Sequence, residues 1–574
     1  MATRREVLKL GALAGAGMLA PSTAQSLPGT VQYHGHVSSL GTQPRTGLAQ
    51  FVDRLPMPPV IRPSPGSVTD ISMLAFRQKL HRDLPPTLLW GYNGIYPGPT
   101  FETRTGSPIS VRWKNNLPPT HFLAVDPTIH GAESKWPAVR TVVHAHGQRV
   151  MPEDDGYPEA WFTFNGQHGP ELFNLDPFAY PMDQQAMGSW YHDHALGIVR
   201  LNIYAGLLGM WFIRDAVEDS LNIPKGQFEI PLMIQDHIFN PDGSLMYPVA
   251  EGGTHPFWIP EFFGDTIAVN GKVWPYLDVE PRRYRLRLLN ACNARFLHVT
   301  LVETDANGNP MGMAGPLFNV VGTDGGLLPA PVALNDLLQA PAERFDVIVD
   351  FTGKAGKYFV LKNDAPAPFP GGGEVVPTEV MMFRVVKRLS SPDTSEIPSV
   401  LNPVPRNYDP ASAVKSRYLT LSEQDRESDG FPIIALLGTT SNGPLRWFSP
   451  VTEDPKLGSI EIWNLINTTG DAHPKHIHLV QFQILGRQAF NTHAFEQSGK
   501  LVFTGPPQAP RPEEQYAYKD TVKTFPGTVT KLIMKFDLPA GANIVPGHHY
   551  TYVWHCHILE HEDNEMMRPY DVIG

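Results

Sequence analysis

WHCHILEHEDNEMM, residues 554–567, is the stretch of sequence that says most about this protein. Within it, Cys556, His561 and Met566 form a Cys-x4-His-x4-Met series. Two imidazoles, a thiolate and a weak axial thioether are the ligands of blue-copper electron-transfer sites, and His473 can supply the second imidazole. Because the sulfur ligands are soft, they favour copper over zinc, iron or nickel. The segment therefore predicts a copper site formed by these four side chains.

The same strand predicts a second metal centre beside the first. Successive side chains of a strand point to opposite faces, so Cys556 would face away from its neighbours His555 and His557. The peptide units around Cys556 would then join the two centres covalently and give electrons a short path. Met567 is an alternative axial ligand, but the spacing from Cys556 favours Met566.

Histidines separated by one residue recur far more often than chance allows. Random placement of 22 histidines in 574 positions gives roughly 0.8 such pairs. The chain has four well-placed pairs: His144/His146, His192/His194, His476/His478 and His555/His557. We attribute a fifth pair, His34/His36, to background, because nothing around it resembles a metal site. On strands, each pair would share one face, so eight imidazoles could surround three metal ions, whose identity imidazoles alone leave open.

The composition describes a globular chain of short strands. Of 574 residues, 42% are hydrophobic and 18% charged, which is too apolar for a disordered chain. The 50 glycines and 57 prolines suit short strands with frequent turns. The net charge of −11 lacks the basic footprint of a nucleic-acid-binding protein. With two cysteines, the chain cannot be a disulfide-stabilised scaffold.

Alternating apolar and polar residues predict strands along most of the chain, and long amphipathic helices are hard to find. Examples of predicted strands are 109–113, 283–289, 345–351, 460–465 and 532–536. We predict an all-β chain with three sandwich-sized domains at 25–218, 219–388 and 419–574, and a linker at 389–418.

The first 24 residues resemble a twin-arginine (Tat) export signal. Arg4 and Arg5 precede a short apolar run at 11–20, and residues 22–24 (STA) offer a small-x-small cleavage site. The apolar run is too short and too rich in glycine for a membrane span, so no stable membrane anchor is expected. We predict that the Tat export machinery carries the chain to the periplasm or the cell exterior.

The histidine motifs resemble those of a known family. They read HAHG at 144–147, WYHDH at 190–194, HPKHIH at 473–478 and HCH at 555–557, and they are similar to the four copper motifs of the multicopper oxidases. DGYPEAW at 155–161, RLNIYAGL at 200–207 and the segment 555–569 further resemble the bacterial spore-coat laccase group, which includes bilirubin oxidases and phenoxazinone synthases. The similarity spans nearly the whole mature chain.

This resemblance implies three cupredoxin-like Greek-key β-sandwich domains and four coppers per chain. The type 1 copper would bind His473, Cys556, His561 and Met566. The type 2 copper would bind His144 and His476. The type 3 pair would bind His146, His192, His194, His478, His555 and His557.

The resemblance also implies catalytic roles. Donors would give up single electrons through the exposed edge of His561, and O2 would be reduced to water at the histidine cluster. Glu562 and Asp155 occupy the positions of acidic residues that supply protons in this group. Cys292 has no cysteine partner once Cys556 binds copper, so a disulfide seen in some relatives is impossible, and we expect Cys292 to be a buried apolar residue.

Three functions remain open on the sequence. The first is a laccase-like oxidase, a monomer whose partners are O2 and small phenolic or aminophenolic donors. The second is a metallo-oxidase for Cu(I), Fe(II) or Mn(II); the lack of a methionine-rich insert counts against Cu(I). The third is a copper or electron carrier, which would not need the eight additional histidines.

Overall fold

The computed structural model describes residues 47–174, 177–250, 258–373, 377–403, 407–426 and 432–574. The predicted export signal and the His34/His36 pair lie outside these residues. Within them, the chain is built almost entirely of strands joined by turns, and the prediction of an all-β protein is confirmed.

Three stretches of chain each form their own strands. The first contains β1 (Val60–Ile61), β2 (Val68–Gln78), β3 (Thr87–Tyr92), β4 (Thr100–Arg104), β5 (Ile109–Asn115), β6 (Val143–His146), β7 (Phe178–Tyr180), β8 (Met187–Asp193) and β9 (Leu208–Arg214). The second contains β10 (Glu229–His237), β11 (Thr266–Val269), β12 (Lys272–Val273), β13 (Tyr276–Asp278), β14 (Arg283–Asn290), β15 (Leu297–Thr304), β16 (Pro310–Ala314), β17 (Phe318–Thr323), β18 (Gly326–Leu334), β19 (Asp336–Gln339), β20 (Arg344–Asp350), β21 (Tyr358–Asn363) and β22 (Glu379–Arg384). The third contains β23 (Lys415–Asp425), β24 (Pro432–Thr439), β25 (Gly443–Leu445), β26 (Ile460–Asn467), β27 (His473–Ile477), β28 (Phe482–Ala489), β29 (Thr521–Thr524), β30 (Thr528–Lys535), β31 (His549–Cys556) and β32 (Met567–Ile573).

The α-helices of the described residues are short. They are α1 (Val199–Ala205), α2 (Ala216–Ser220), α3 (Thr492–Ser498) and α4 (Leu559–Asp563). No helix within the described ranges is long and apolar enough to cross a membrane.

Each stretch folds into two sheets that draw no strand from the other stretches. The strand orders are β1-β4-β9-β8-β6 with β3-β2-β5-β7, then β12-β11-β10-β14-β20-β17-β18 with β13-β22-β21-β15-β16, and finally β25-β24-β23-β26-β30-β28 with β29-β27-β31-β32. Strands distant in sequence lie side by side, and several of these pairs are parallel, as β2 and β5 are. This crossing order separates the fold from a simple meander and is typical of Greek-key sandwiches.

The described parts of the predicted linker at 389–418, residues 389–403 and 407–418, are packed rather than free. Arg283 donates to Asp393 from its main-chain N–H at 3.0 Å, and the Leu401 side chain is buried. Strand β23 begins at Lys415, four residues before the predicted start of the third domain. These contacts explain why a segment rich in proline and serine holds a defined course; the domain boundaries themselves stay predictions.

Candidate metal centre

Two antiparallel strand pairs bring the four histidine pairs together. His144 on β6 lies opposite His192 on β8, and His476 on β27 lies opposite His555 on β31. Within each His-x-His pair the ring centroids are between 4.9 and 5.7 Å apart, because residues i and i+2 share a face of the strand. All eight rings are buried.

The eight rings form a pair and two triads that adjoin one another, and a nitrogen of His146 also lies within 4.8 Å of nitrogens of both His144 and His476. His144 and His476 face each other, with 3.4 Å between their Nε2 atoms. The members of each triad place one ring nitrogen within 4.8 Å of one another. One triad is His146, His192 and His557, and the other is His194, His478 and His555. The family resemblance predicted the His144/His476 pair, and the structure adds the division of the other six rings into two triads.

The hydrogen bonds of these rings test whether a metal would fit. The five rings that donate from Nδ1 to a protein oxygen are His144, His192, His476, His478 and His555. In the neutral form of such a ring the proton is on Nδ1, so Nε2 holds a lone pair. The Nε2 atoms of His478 and His555 then face each other at 3.2 Å with no proton between them. A bound cation would satisfy these lone pairs, so the donor set fits metal ions.

Burial keeps these imidazoles in the form that binds metal. It lowers the pKa of each of the following rings well below the ordinary value: His146, His192, His194, His476, His478, His555 and His557. Neutral imidazole is the ligand form, because a protonated ring has no free lone pair.

The predicted blue-copper ligands also lie together. The Cys556 sulfur is 3.5 Å from Nδ1 of His473 and 3.9 Å from Nδ1 of His561. The two Nδ1 atoms are 3.2 Å apart, and all three side chains are buried. As alternation along β31 predicts, Cys556 belongs to this set while its two neighbours belong to the histidine triads.

The two candidate axial methionines fall on different sides. Met566 packs in the same apolar cluster as Cys556, and its carbonyl accepts the Cys556 main-chain N–H at 2.9 Å. Met567 begins β32 opposite His555 and packs in a separate cluster with Val553. The packing therefore favours Met566.

The expected exposed edge of His561 is wrong, because the residue is only 1% exposed. Its outer nitrogen, Nε2, is 3.7 Å from the Glu423 carboxylate, and the Pro260 carbonyl also bonds the ring. Tertiary packing is the reason. β23 and the segment around Pro260 cover helix α4, which carries His561, and the sequence next to His561 does not predict this cover. A donor must therefore deliver electrons across this covering layer or through it.

Glu562 and Asp155 both lie against the histidine centre, in different ways. The Glu562 carboxylate is 3.0 Å from Nδ1 of His555 and 3.5 Å from Nε2 of His194, yet it makes no hydrogen bond of good geometry. Asp155 instead accepts the Nδ1 proton of His478 at 2.6 Å. Burial raises the pKa of both carboxyl groups. Asp155 is thus engaged in orienting a histidine, whereas Glu562 is the freer carboxyl.

Cys292 is a buried free thiol, as expected. Other buried polar residues around the centre were not predicted from the sequence. Lys475 lies between the two metal-binding sets, and Asp520 contacts the histidines from β29's side of the sheet. Glu261, Glu423 and Asp471 cluster beside the Cys556 set. In the sequence, the one indication that Lys475 is unusual is its position within HPKHIH, because a lysine is not expected in a strand whose other residues are buried.

Lys475 gives a stability prediction. Its ammonium group is buried, has no hydrogen-bond partner among the described residues and lies 5.0 Å from the centre of the Trp554 ring. In the copper-free protein we expect Lys475→Met to raise the free energy of unfolding by about 1–3 kcal/mol near pH 6, because an unpaired buried charge is removed. Denaturant titration measures this. Lys523→Met is the matched control: Lys523 is equally buried but contacts both Glu343 oxygens at 2.7 Å, so its loss should destabilise by about 3–5 kcal/mol.

The pH dependence of the Lys475 effect has a defined sign. Burial lowers the pKa of Lys475 from 10.5 to about 7. Between these values the unfolded chain binds the proton that the folded chain has lost, so folding becomes more favourable as pH rises. The advantage of Lys475→Met should therefore be greatest below pH 7 and shrink towards pH 10.5. An advantage that grows with pH would contradict this account.

Comparison with known proteins agrees with this geometry. Residues 419–573 match the family model for multicopper oxidase. The laccase of Bacillus stratosphericus is 44% identical over 542 residues, covering 92% of this chain and 99% of that protein. The laccase of Bacillus subtilis (strain 168) is 42% identical over 540 residues, with the same coverage. The crystal structure of the McoA multicopper oxidase from Aquifex aeolicus superimposes with a TM-score of 0.69 at 27% identity, covering 91% of this chain and 99% of that one.

The sandwiches, the histidine sets and these similarities define one class: the chain belongs to the multicopper oxidase family, and its fold is cupredoxin-like. Within that family it is an oxidase of the laccase type, and copper is the metal that the family implies.

Proposed function

We propose that this chain is an exported four-copper oxidase that takes single electrons from phenolic or aminophenolic donors and reduces O2 to water. Strand β31 carries the proposal, because Cys556 lies in one metal-binding set while His555 and His557 lie in the two triads. One strand thus links an electron-entry site to an oxygen-reducing site. The laccases among its relatives support the choice of organic donors.

The ligand sets follow the predicted copper types. His473, Cys556, His561 and Met566 would hold the type 1 copper, the His144/His476 pair the type 2 copper, and the two triads the type 3 pair. Copper bound there supplies one-electron chemistry, which allows four single electrons to reach one O2. The chain's own part is to bury these ligands, fix their lone pairs and keep bulk water away.

Reduction of O2 to two waters also consumes four protons. Glu562 is the group we assign to holding and passing a proton, since its carboxyl lies against His555 and His194 without a competing hydrogen bond. Asp155 is assigned a shared role, because its carboxylate also orients His478.

The proposed route to the site of action is export by the Tat machinery as a monomer. The Arg4-Arg5 pair and the small-residue cleavage motif support it. The mature enzyme would then work in the periplasm or outside the cell, where O2 and small aromatic compounds are its partners.

A metal donor is a second candidate, which the acidic cluster beside the Cys556 set favours. Asp471 lies 3.4 Å from Nε2 of His473, and Glu423 lies 3.7 Å from Nε2 of His561. Glu261 contacts Asp471, and its second oxygen is buried without a hydrogen bond. Carboxylate oxygens suit Fe(II) or Mn(II) better than Cu(I), which prefers sulfur.

A competition between donors separates the two candidates. We expect the copper-loaded mature chain to take up O2 with a higher kcat/KM for a methoxyphenol than for Fe(II), Mn(II) or Cu(I). Glu423→Gln, with the same size but no charge, should leave the methoxyphenol rate nearly unchanged. If a metal donor is preferred by orders of magnitude and Glu423→Gln removes that preference, the metallo-oxidase function is right and the laccase proposal is wrong.

A further inference from the structure

Among the eight histidines of the cluster, His146 is held in the opposite sense from the five rings that donate from Nδ1. Its Nε2, rather than Nδ1, contacts the protein, at 3.1 Å from a carboxylate oxygen of Asp520 and 3.1 Å from the Thr521 hydroxyl. Its Nδ1 is buried and has no hydrogen-bond partner in the part of the chain that the structure describes. The ring must therefore offer Nδ1 if it binds a metal, and something must hold it in that orientation.

The partners of Nε2 determine where the proton of His146 lies. The Thr521 hydroxyl donates its hydrogen to Asp520 at 2.9 Å, so towards His146 it can only accept. The Asp520 carboxylate also accepts, because Arg344 donates to both of its oxygens, one of them at 2.7 Å. With two acceptors facing it, Nε2 carries the proton, and Nδ1 carries the lone pair.

Arg344 connects this arrangement to all three groups of sheets. It lies on β20, in the stretch that supplies none of the twelve predicted copper ligands. Its Nε donates to the carbonyl of Gly188 on β8 at 2.9 Å, and its other nitrogens bond Asp520 just before β29. The pair is buried, so the guanidinium charge is neutralised by Asp520 in a medium where an unpaired charge would be costly.

One further hydrogen bond joins Asp520 to the histidines, and Gly147 leaves room for its carboxylate. The Asp520 carbonyl accepts the Nδ1 proton of His476 at 2.8 Å, so one residue holds a member of the pair and a member of a triad. Gly147, directly after His146, has a φ of +85°, and a Cβ there would lie 2.4 Å from Asp520 Oδ2 and 2.8 Å from Arg344 Nη2. The glycine of the HAHG motif leaves the space that the ion pair occupies.

We propose that Arg344 and Asp520 act as positioning residues that fix the proton of His146 on Nε2 and so present Nδ1 to the metal. The middle sheets then have a role at the histidine centre although they contribute no ligand. This inference rests on the proposed binding of copper by the eight histidines. Groups that hydrogen-bond to metal-binding histidines typically contribute 10–100-fold to metal affinity.

The test uses the full mature chain and the double variant Arg344→Met/Asp520→Asn, which removes both charges and so leaves none unpaired. We expect the copper count after dialysis against a chelator to fall, the apparent Kd for copper at the histidine centre to rise about 10–100-fold, and the blue absorption of the Cys556 site to persist. Electron paramagnetic resonance should show a change in the copper bound at the histidine centre, because the triad that contains His146 loses its fixed ligand.

Arg285→Met/Asp346→Asn is the matched control, because it removes an equally buried pair joined at 2.7 Å that touches no histidine. Its copper count and spectra should match the unmodified protein. If the Arg344/Asp520 variant folds and keeps the copper count and resonance signal, the inference is overturned. If the double variant fails to fold, Asp520→Asn alone removes the carboxylate charge and keeps the size of the side chain, and an unchanged copper affinity would overturn the inference. If the unmodified protein binds no copper at the histidines, the proposed function itself fails.

Discussion

Cys556→Ser should abolish the blue absorption and the oxidation of donors while the chain stays folded. Serine keeps the size of the side chain but replaces a soft thiolate by a hard oxygen, which does not support a blue-copper site. The same change removes the sulfur atom through which electrons from the donor would enter β31 on their way to the histidine triads. Removing a group that hydrogen-bonds to a metal-binding histidine typically lowers activity by up to roughly 100-fold. We expect a larger fall in kcat for Cys556→Ser, because the substitution removes a ligand itself.

The measurement needs absorbance, copper count and oxygen uptake on the same preparation. Cys292→Ser is the control, since it makes the same change at a buried thiol outside both metal-binding sets. That variant should keep colour and turnover. Retained turnover in Cys556→Ser, with the blue colour gone, would show that electrons enter elsewhere.

The sequence predicted the all-β fold because alternation is a local property. The same alternation separates Cys556 from His555 and His557, and the structure places them accordingly. A one-residue spacing also required each His-x-His pair to share a face. These inferences needed only the geometry of one strand, so no knowledge of tertiary packing was required.

What the sequence missed depends on contacts between distant segments. The covering of His561 by Glu423 joins residues 138 positions apart in the chain, and no local pattern marks it. The Arg344–Asp520 pair joins β20 to the end of the segment before β29, 176 positions away. The division of the six other histidines into two triads also depends on how β6 and β8 meet β27 and β31, which spacing leaves open.

The position of Glu562 leads to the second large effect. Helix α4 places His561 in the Cys556 set and the next residue, Glu562, against the histidine triads. The helix is held firmly, because Asp563 accepts main-chain N–H groups at the start of α1 and also pairs with Arg200 at 2.8 Å. These contacts hold α4 so that the Glu562 carboxyl lies within 3.0 Å of His555 Nδ1.

Glu562→Gln should therefore lower kcat by about 10²–10⁴-fold, the usual contribution of a positioned acid or base, and leave the KM for the donor unchanged. The amide has the same shape but cannot deliver a proton, and the donor is expected to approach on the His561 side of α4, away from Glu562. Blue absorption and copper count should be unaltered, which separates loss of proton supply from loss of metal. Steady-state oxygen uptake at saturating donor measures the effect.

Glu560→Gln provides the comparison, because Glu560 lies on the same helix and is equally buried. Its carboxylate faces away from the triads and accepts from Asn293 at 2.9 Å and from Tyr247 at 2.5 Å. Neutralising it should change kcat far less than neutralising Glu562. If both variants slow turnover equally, the charge of α4 as a whole controls the rate; if neither does, protons reach the histidine centre through Asp155 or water, and Glu562 has no transfer role.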